Sequence, residues 1–222
     1  MLVFDNHDNI RSWERYGDGV HNAQIAKIIA TLLLTSRATA LLYQGEEIGQ
    51  VTTMPIRVEE VRDPIGVTGW PKEKGRDGER TPMQWDTSNK QAGFSSNPKT
   101  WLPVPSSYKT INVQSETADP DSLLNWHREL IALRRSNPAL APGEMRMLDV
   151  ENTKVLSYER VAKDGHTVLV ALNMSGEPQT VSLDTMSAKP LKTLMASPAG
   201  MEKPKATTAI TLPPFAAWVG AQ

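Results

Sequence analysis

The sequence predicts an α/β part followed by an antiparallel β part, and two observations carry that prediction. Between residues 2 and 49, two short apolar runs flank an amphipathic helical pattern, with polar loops between them. That is a βαβ order, and its crossover helix makes the two strands parallel. After Pro142-Gly143 the pattern becomes a series of short strand-like runs at about ten-residue spacing, which suits an antiparallel sandwich. Domains of residues 1–142 and 143–222 are therefore expected.

Taken in order, Leu2-Val3-Phe4 reads as a buried strand that delivers Asn6-His7-Asp8 at its C-terminal end. Strand ends of this kind carry the chemistry in parallel α/β barrels. Gly17-Asp18-Gly19 marks a turn, and Asn22 is a fitting cap for a helix. Ile25, Ile28, Ile29, Leu32 and Leu33 fall on one face of that helix, as core packing requires. Arg37 and Ala38 end it. Ala40-Leu41-Leu42-Tyr43 follows as a second, fully buried strand, with Gln44 to Gly49 as its loop.

Residues 50–118 show no sustained period and are rich in proline. Trp70, Trp85, Phe94 and Trp101 nevertheless argue that this long segment is ordered. Asp119-Pro120 resembles a cap followed by a first helical turn. Leu123, Leu124, His127, Leu130 and Ile131 keep helical spacing up to Asn137-Pro138, and His127 reads as a packed histidine. Strands are expected at residues 155–161, 167–172, 180–184, 191–196, 206–212 and 215–219, with Lys163-Asp164-Gly165 as a hairpin turn.

Composition narrows the function classes. Lys plus Arg (24) nearly balances Asp plus Glu (25), so neither nucleic acid nor an anionic membrane is an expected partner. The absence of cysteine excludes disulfides and thiolate metal sites. No basic region precedes an apolar core at the N-terminus, and Lys27 and Arg37 interrupt the longest greasy stretch. A soluble chain is expected, with the cytoplasm favoured over export.

Asn-His-Asp alone is a weak signal, equally readable as a turn capped by an Asx side chain. Its place after a buried strand favours chemistry. Asp8 would then act as a carboxylate, His7 as a hydrogen-bond donor, and Arg11 or Arg15 as the group that orients it. Carboxylate, imidazole and interleaved Trp suit a neutral polyol. In Glu46-Glu47, one carboxylate buried and the other solvated is as reasonable as a joint role. Asp63, Asp77 and Asp86 read as surface carboxylates. No residue is assigned to a metal, and no cofactor is implied: phosphate-loop, zinc-helix and nucleophile-elbow motifs are all missing.

Phe4-Asp5-Asn6-His7-Asp8, with Arg11 and Arg15-Tyr16-Gly17, resembles the fourth signature region of glycoside hydrolase family 13, the α-amylase family. Leu41 through Gly49 is similar to that family's eighth barrel strand and its loop. Residues 75–86 (Gly-Arg-Asp-Gly-Glu-Arg-Thr-Pro-Met-Gln-Trp-Asp), Ala92-Gly93-Phe94-Ser95 and Trp101-Leu102-Pro103-Val104 resemble the oligo-1,6-glucosidase and α-glucosidase branch. The helix at residues 123–140 is similar to the one that precedes that branch's C-terminal sandwich.

The resemblance implies the last two strands of a (β/α)8 TIM barrel, followed by the sandwich. It implies that Asp8 stabilises the transition state. It makes His7, Arg15, Asn6 and Arg11 substrate-binding residues, with Arg15 near the entrance. The substrate would be an α-glucoside oligosaccharide or disaccharide. The family's nucleophile and acid/base lie on the fourth and fifth strands, which this sequence does not contain. The chain is therefore expected to be the C-terminal portion of a retaining α-glucosidase, with an N-terminal barrel portion as its missing partner, and to be inactive alone. A sucrose-isomerising or trehalose-synthase type of relative is the alternative within the family. A transporter-accessory or sugar-binding protein is the alternative from another class.

Overall fold

The computed structural model describes residues 1–182, 191–201 and 209–222. Two compact units are present: residues 1–2, 24–40 and 126–222 form one, and residues 3–23 and 41–125 the other.

Strand β1 (Leu2–Val3) lies beside β2 (Ala40–Leu41), with the Leu2 amide donating to the Thr39 carbonyl at 2.9 Å. The expectation that residues 40–43 are fully buried is corrected. Leu41 and Leu42 are 41% and 37% exposed, because among the described residues this sheet has only two strands to cover them.

Helix α2 (Asn22–Thr35) buries Ile28, Ile29 and Leu33 of the expected stripe, while Ile25 and Leu32 are only half-buried. A second, polar row at i, i+4 spacing is buried too: Lys27, Thr31 and Thr35. Its hydroxyls have partners. Thr31 Oγ1 and Thr35 Oγ1 donate to the carbonyls of Lys27 and Thr31, both at 2.6 Å. The Trp126 indole donates to Thr31 Oγ1 at 3.1 Å, and the Tyr158 hydroxyl lies 2.5 Å from Thr35 Oγ1. Arg134 donates to the carbonyls of Leu34, Ser36 and Ala38, covering the helix end whose carbonyls lack intrahelical donors.

Helix α5 (Leu123–Ser136) ends where expected but starts later than Asp119-Pro120 predicts. Asp119 Oδ1 instead closes a turn by accepting from the Asp121 amide at 2.9 Å. Ser122 Oγ accepts from the Asn125 amide at 3.1 Å and serves as the cap. His127 is buried, whereas Ile131 is exposed and Trp126 replaces it in the core.

Among the described residues, seven antiparallel strands follow. β3 (Glu144–Leu148), β4 (Val155–Val161), β5 (Thr167–Asn173), β7 (Lys192–Ser197) and β9 (Ala217–Ala221) form one sheet in the order β3-β4-β5-β9-β7. β6 (Gln179–Ser182) pairs with β8 (Ala209–Leu212) in a second sheet. The expected strands recur with shifts of one or two residues, except that residues 183–184 and 206–208 lie outside the described residues. Strand β3 was not expected, because its Glu-Met-Arg-Met-Leu lies largely exposed at the sheet edge and carries no clear alternation. Gly165, at φ +86°, supplies the left-handed residue of the hairpin between β4 and β5. Val155, Leu169, Val181, Ile210, Leu212 and Trp218, drawn from both sheets, make one core.

The second unit is ordered in spite of its aperiodic sequence. Its helices are short: α1 (Ser12–Arg15), α3 (Pro64–Gly69) and α4 (Val113–Ala118). Its apolar centre is small, with Ile48, Met83 and Leu124 packed by Ile111 and Val113. Buried side-chain amides do much of the tying. Gln50 Nε2 donates to Thr81 Oγ1 at 2.9 Å, and Gln84 Nε2 to the Ile111 carbonyl at 2.7 Å. Such bonds satisfy loop backbone that no ladder can reach, and they leave no periodic trace in the sequence. No described helix is long and apolar enough to cross a membrane, and no cluster of three or more His, Cys, Asp or Glu among the described residues could hold a metal.

Candidate active site

The loop after β1 is shaped by one side chain. Asn6 Oδ1 accepts from the amides of Asp8 and Asn9 at 2.8 and 3.1 Å, and from Asn9 Nδ2 at 3.1 Å. This is the Asx turn that the sequence allowed, and it presents His7 and Asp8 outward. The side chains of His7 and Asp8 are 62% and 47% exposed, with His7 Nε2 3.4 Å from Asp8 Oδ1.

The groups that hold Asp8 were not expected. Arg76 Nη1 donates to Asp8 Oδ1 at 2.8 Å, and Arg80 Nη2 approaches the same oxygen at 3.4 Å. Arg80 Nε also donates to the His7 carbonyl at 3.0 Å. Asp8 Oδ2 has no partner among the described residues. Neither Arg11 nor Arg15 orients Asp8, which corrects the sequence expectation. Arg15 donates to the Phe4 carbonyl and lies over the Tyr16 ring at 4.8 Å, although it still lines the cavity at Asp8.

Arg11 is fully buried. Its Nη1 and Nη2 donate to the carbonyls of Gln44 and Glu79, both at 2.8 Å, so it clasps two loops where a substrate contact was expected. Burial lowers its pKa, and burial likewise raises those of Asp5 and Glu79. Glu46 is the strongest case, pushed up to about 8 by burial. Its Oε2 accepts from the Tyr43 amide at 3.1 Å, while Oε1 has no partner among the described residues. Glu47 is half-buried, so the pair splits as one of its two readings predicted.

Arg76 is aimed by a buried carboxylate. Asp63 Oδ2 accepts from Arg76 Nε at 2.7 Å and from the Arg76 amide at 2.9 Å. The Arg76 hydrogen bond holds the Asp63 carboxyl well below the usual carboxylate range. Asp63 also caps α3 by accepting from the Ile65 amide at 3.1 Å, and its own amide donates to Asp77 Oδ2 at 3.0 Å. Asp63 and Asp77 are each 1% exposed, so they are structural and not the surface carboxylates expected, while Asp86 is half-buried. Gly75, at φ +70°, lets the chain pass this point, since a Cβ there would lie 2.8 Å from Asp63 Cβ.

A cavity of about 710 Å3 opens beside these groups, lined by Asp8, Arg15 and Arg76 with Ile10, Met54 and Ile65. It combines the carboxylates of Asp8, Glu14, Glu73 and Glu79 with two guanidinium groups and apolar walls, which is a surface suited to a small polar ligand. Sequence reasoning missed Arg76, Arg80 and Asp63. The signal available was the charge-dense Arg76-Asp77-Gly78-Glu79-Arg80 set inside an aromatic-rich segment, which carried no assigned role.

The chain is similar to several known proteins. A probable alpha-glucosidase of Rhizobium meliloti is 39% identical over 192 residues, which is 86% of this chain and 34% of that protein. An oligo-1,6-glucosidase of Halalkalibacterium halodurans is 34% identical over 79% of this chain and 34% of its own length. The chain thus spans about a third of the length of these relatives. Among solved structures, the trehalulose synthase MutB of Pseudomonas mesoacidophila MX-45 superposes with a TM-score of 0.83 at 30% identity, over 100% of this chain and 42% of that one. The fold is accordingly part of a TIM barrel followed by an antiparallel sheet domain. Residues 145–219 match the maltogenic amylase C-terminal domain, and residues 1–143 match the alpha amylase catalytic domain. That second match covers most of the chain, including the Asp8 loop, and by it the chain belongs to the α-amylase family.

Proposed function

We propose that the chain is the C-terminal portion of a retaining α-glucosidase acting on α-1,4 or α-1,6 bonds of oligosaccharides or disaccharides. Residues 1–142 would supply the end of the catalytic barrel and residues 143–222 the sandwich. The observation that carries the reading is Asp8 at the cavity, with Oδ1 gripped by Arg76 at 2.8 Å and Oδ2 without a partner among the described residues. In this reading Oδ2 accepts hydrogen bonds from sugar hydroxyls, and these strengthen as the ring flattens toward an oxocarbenium ion. His7 and Arg15 border the same ligand, and Asn6 holds the loop that presents Asp8. Retention needs a pair of carboxyl groups about 5 Å apart, a nucleophile and an acid/base, and in this reading both belong to the N-terminal barrel portion of such an enzyme.

Two assays test the proposal. The purified 222-residue chain should release no chromophore from p-nitrophenyl α-glucoside; turnover by this chain would overturn the fragment reading. In a protein carrying the whole barrel, Asp8→Asn should lower kcat at least about a thousandfold without lowering the melting temperature. Retention of activity there would remove Asp8 from the mechanism. The likeness to trehalulose synthase favours one second reading, sucrose isomerisation. Product analysis of the whole enzyme on sucrose separates it: isomers in one case, glucose and fructose in the other.

A further inference from the structure

A second cleft, of about 370 Å3, lies between residues 57–62 and 90–104. It shares no lining residue with the cavity at Asp8. Its size falls within the range of ligand pockets, about 300–1,000 Å3. At its lip Trp101 is 75% exposed, while the adjacent Leu102 is 3% exposed and anchors the wall. That wall is braced from within: Gln91 Nε2 donates to the Pro98 carbonyl at 3.0 Å, and Thr100 Oγ1 to the Leu102 carbonyl at 2.6 Å.

The charge of this cleft is unlike that of the chain. The whole sequence carries a net charge of −1, so cations and anions are elsewhere nearly matched. Here Arg57 is neutralised by Glu60, whose Oε1 accepts from Arg57 Nε and Nη2 at 2.9 and 2.6 Å. That leaves Arg62, Lys90 and Lys99 against Glu59 alone. None of the three has a carboxylate partner among the described residues. Arg62 is held in place, with its guanidinium 5.3 Å from the Trp101 ring centroid and Nη1 donating to the carbonyls of Glu59 and Val61 at 2.7 and 2.9 Å. Its Nε and Nη2 have no partner among the described residues.

We propose that this cleft is a binding site for a sugar monophosphate. The exposed indole offers a flat apolar surface for one face of a pyranose ring. The fixed guanidinium and two ammonium groups offer charge-assisted donors to a phosphate. A neutral oligosaccharide would leave the cations unused, and inorganic phosphate would leave the indole unused.

Calorimetric titration of the 222-residue chain at low salt tests the site with four probes: glucose 6-phosphate, glucose, inorganic phosphate and AMP. Glucose 6-phosphate is expected to bind saturably, with glucose and inorganic phosphate at least about tenfold weaker, equivalent to about 1.4 kcal/mol. Trp101→Ala and the pair Lys90→Gln/Lys99→Gln should each weaken it about tenfold or more and leave the circular-dichroism melting curve unchanged, since these side chains are at the surface. The proposal is overturned by no saturable binding of glucose 6-phosphate, by equal affinity for inorganic phosphate, by tighter binding of AMP, or by indifference to both variants.

Discussion

Asp8 acquires its setting from residues far along the chain. Arg76 reaches it from a sequence distance of 68 residues, and Arg76 is itself aimed by buried Asp63. Arg76→Lys keeps the charge but cannot bridge Asp63 and Asp8 with one planar fork. Glu46 makes a separate prediction. Its folded pKa lies near 8 because burial disfavours the anion, above the ordinary 4.5. The folded state therefore holds a proton that the unfolded state has released. Stability falls as pH rises from about 4.5 to about 8, by up to about 1.4 kcal/mol per pH unit, and levels off above. Glu46→Gln should flatten that decline, so its advantage over the parent in urea melts should grow between pH 5 and 8. Equal slopes for the two proteins would show that Glu46 is ionised in the fold.

At the level of elements, local signals worked where one element satisfies itself. The β4 and β5 runs and the end of α5 were legible, because short strand-like runs bounded by a turn signal, and a proline stop, record chain geometry directly. The start of α5 was not. Asp119-Pro120 is a sound cap signal, but the loop uses Asp119 in its own turn and Ser122 receives the Asn125 amide at 3.1 Å. Ser122→Ala should cost about 1 kcal/mol in denaturant unfolding, whereas Asp119→Ala should cost less. The Lys27–Thr31–Thr35 row of α2 was equally hidden. The apolar stripe says nothing of these residues, and Trp126 and Tyr158 meet two of them, Thr31 and Thr35, in the interior.

For the molecule as a whole, the core of the C-terminal sheets can be weighed against the aperiodic segment. Trp218 is fully buried and packs among residues of both sheets, and its indole donates to Thr193 Oγ1 at 3.1 Å. Trp218→Ala should cost about 3–5 kcal/mol and lower the melting temperature by several degrees, readable by calorimetry. A loss under about 1 kcal/mol would mean that the sheets close over the gap. Residues 50–118 have no comparable core, and their order rests on buried amides and carboxylates such as Gln50, Gln84, Asp63 and Asp77.

By itself the sequence determined the strand–helix–strand order, the antiparallel runs after residue 142, the Asx turn that displays Asp8, and the motifs of the α-amylase family. Each of these is written locally, in a period, a turn residue or a contiguous string. Only the tertiary structure decided that Arg76 and Arg80 grip Asp8, that Arg11 is a buried clasp, and that Glu46 lies beyond the reach of water. Ion pairs and desolvation depend on which distant segments meet, and a meeting across tens of residues leaves no periodic mark on either partner.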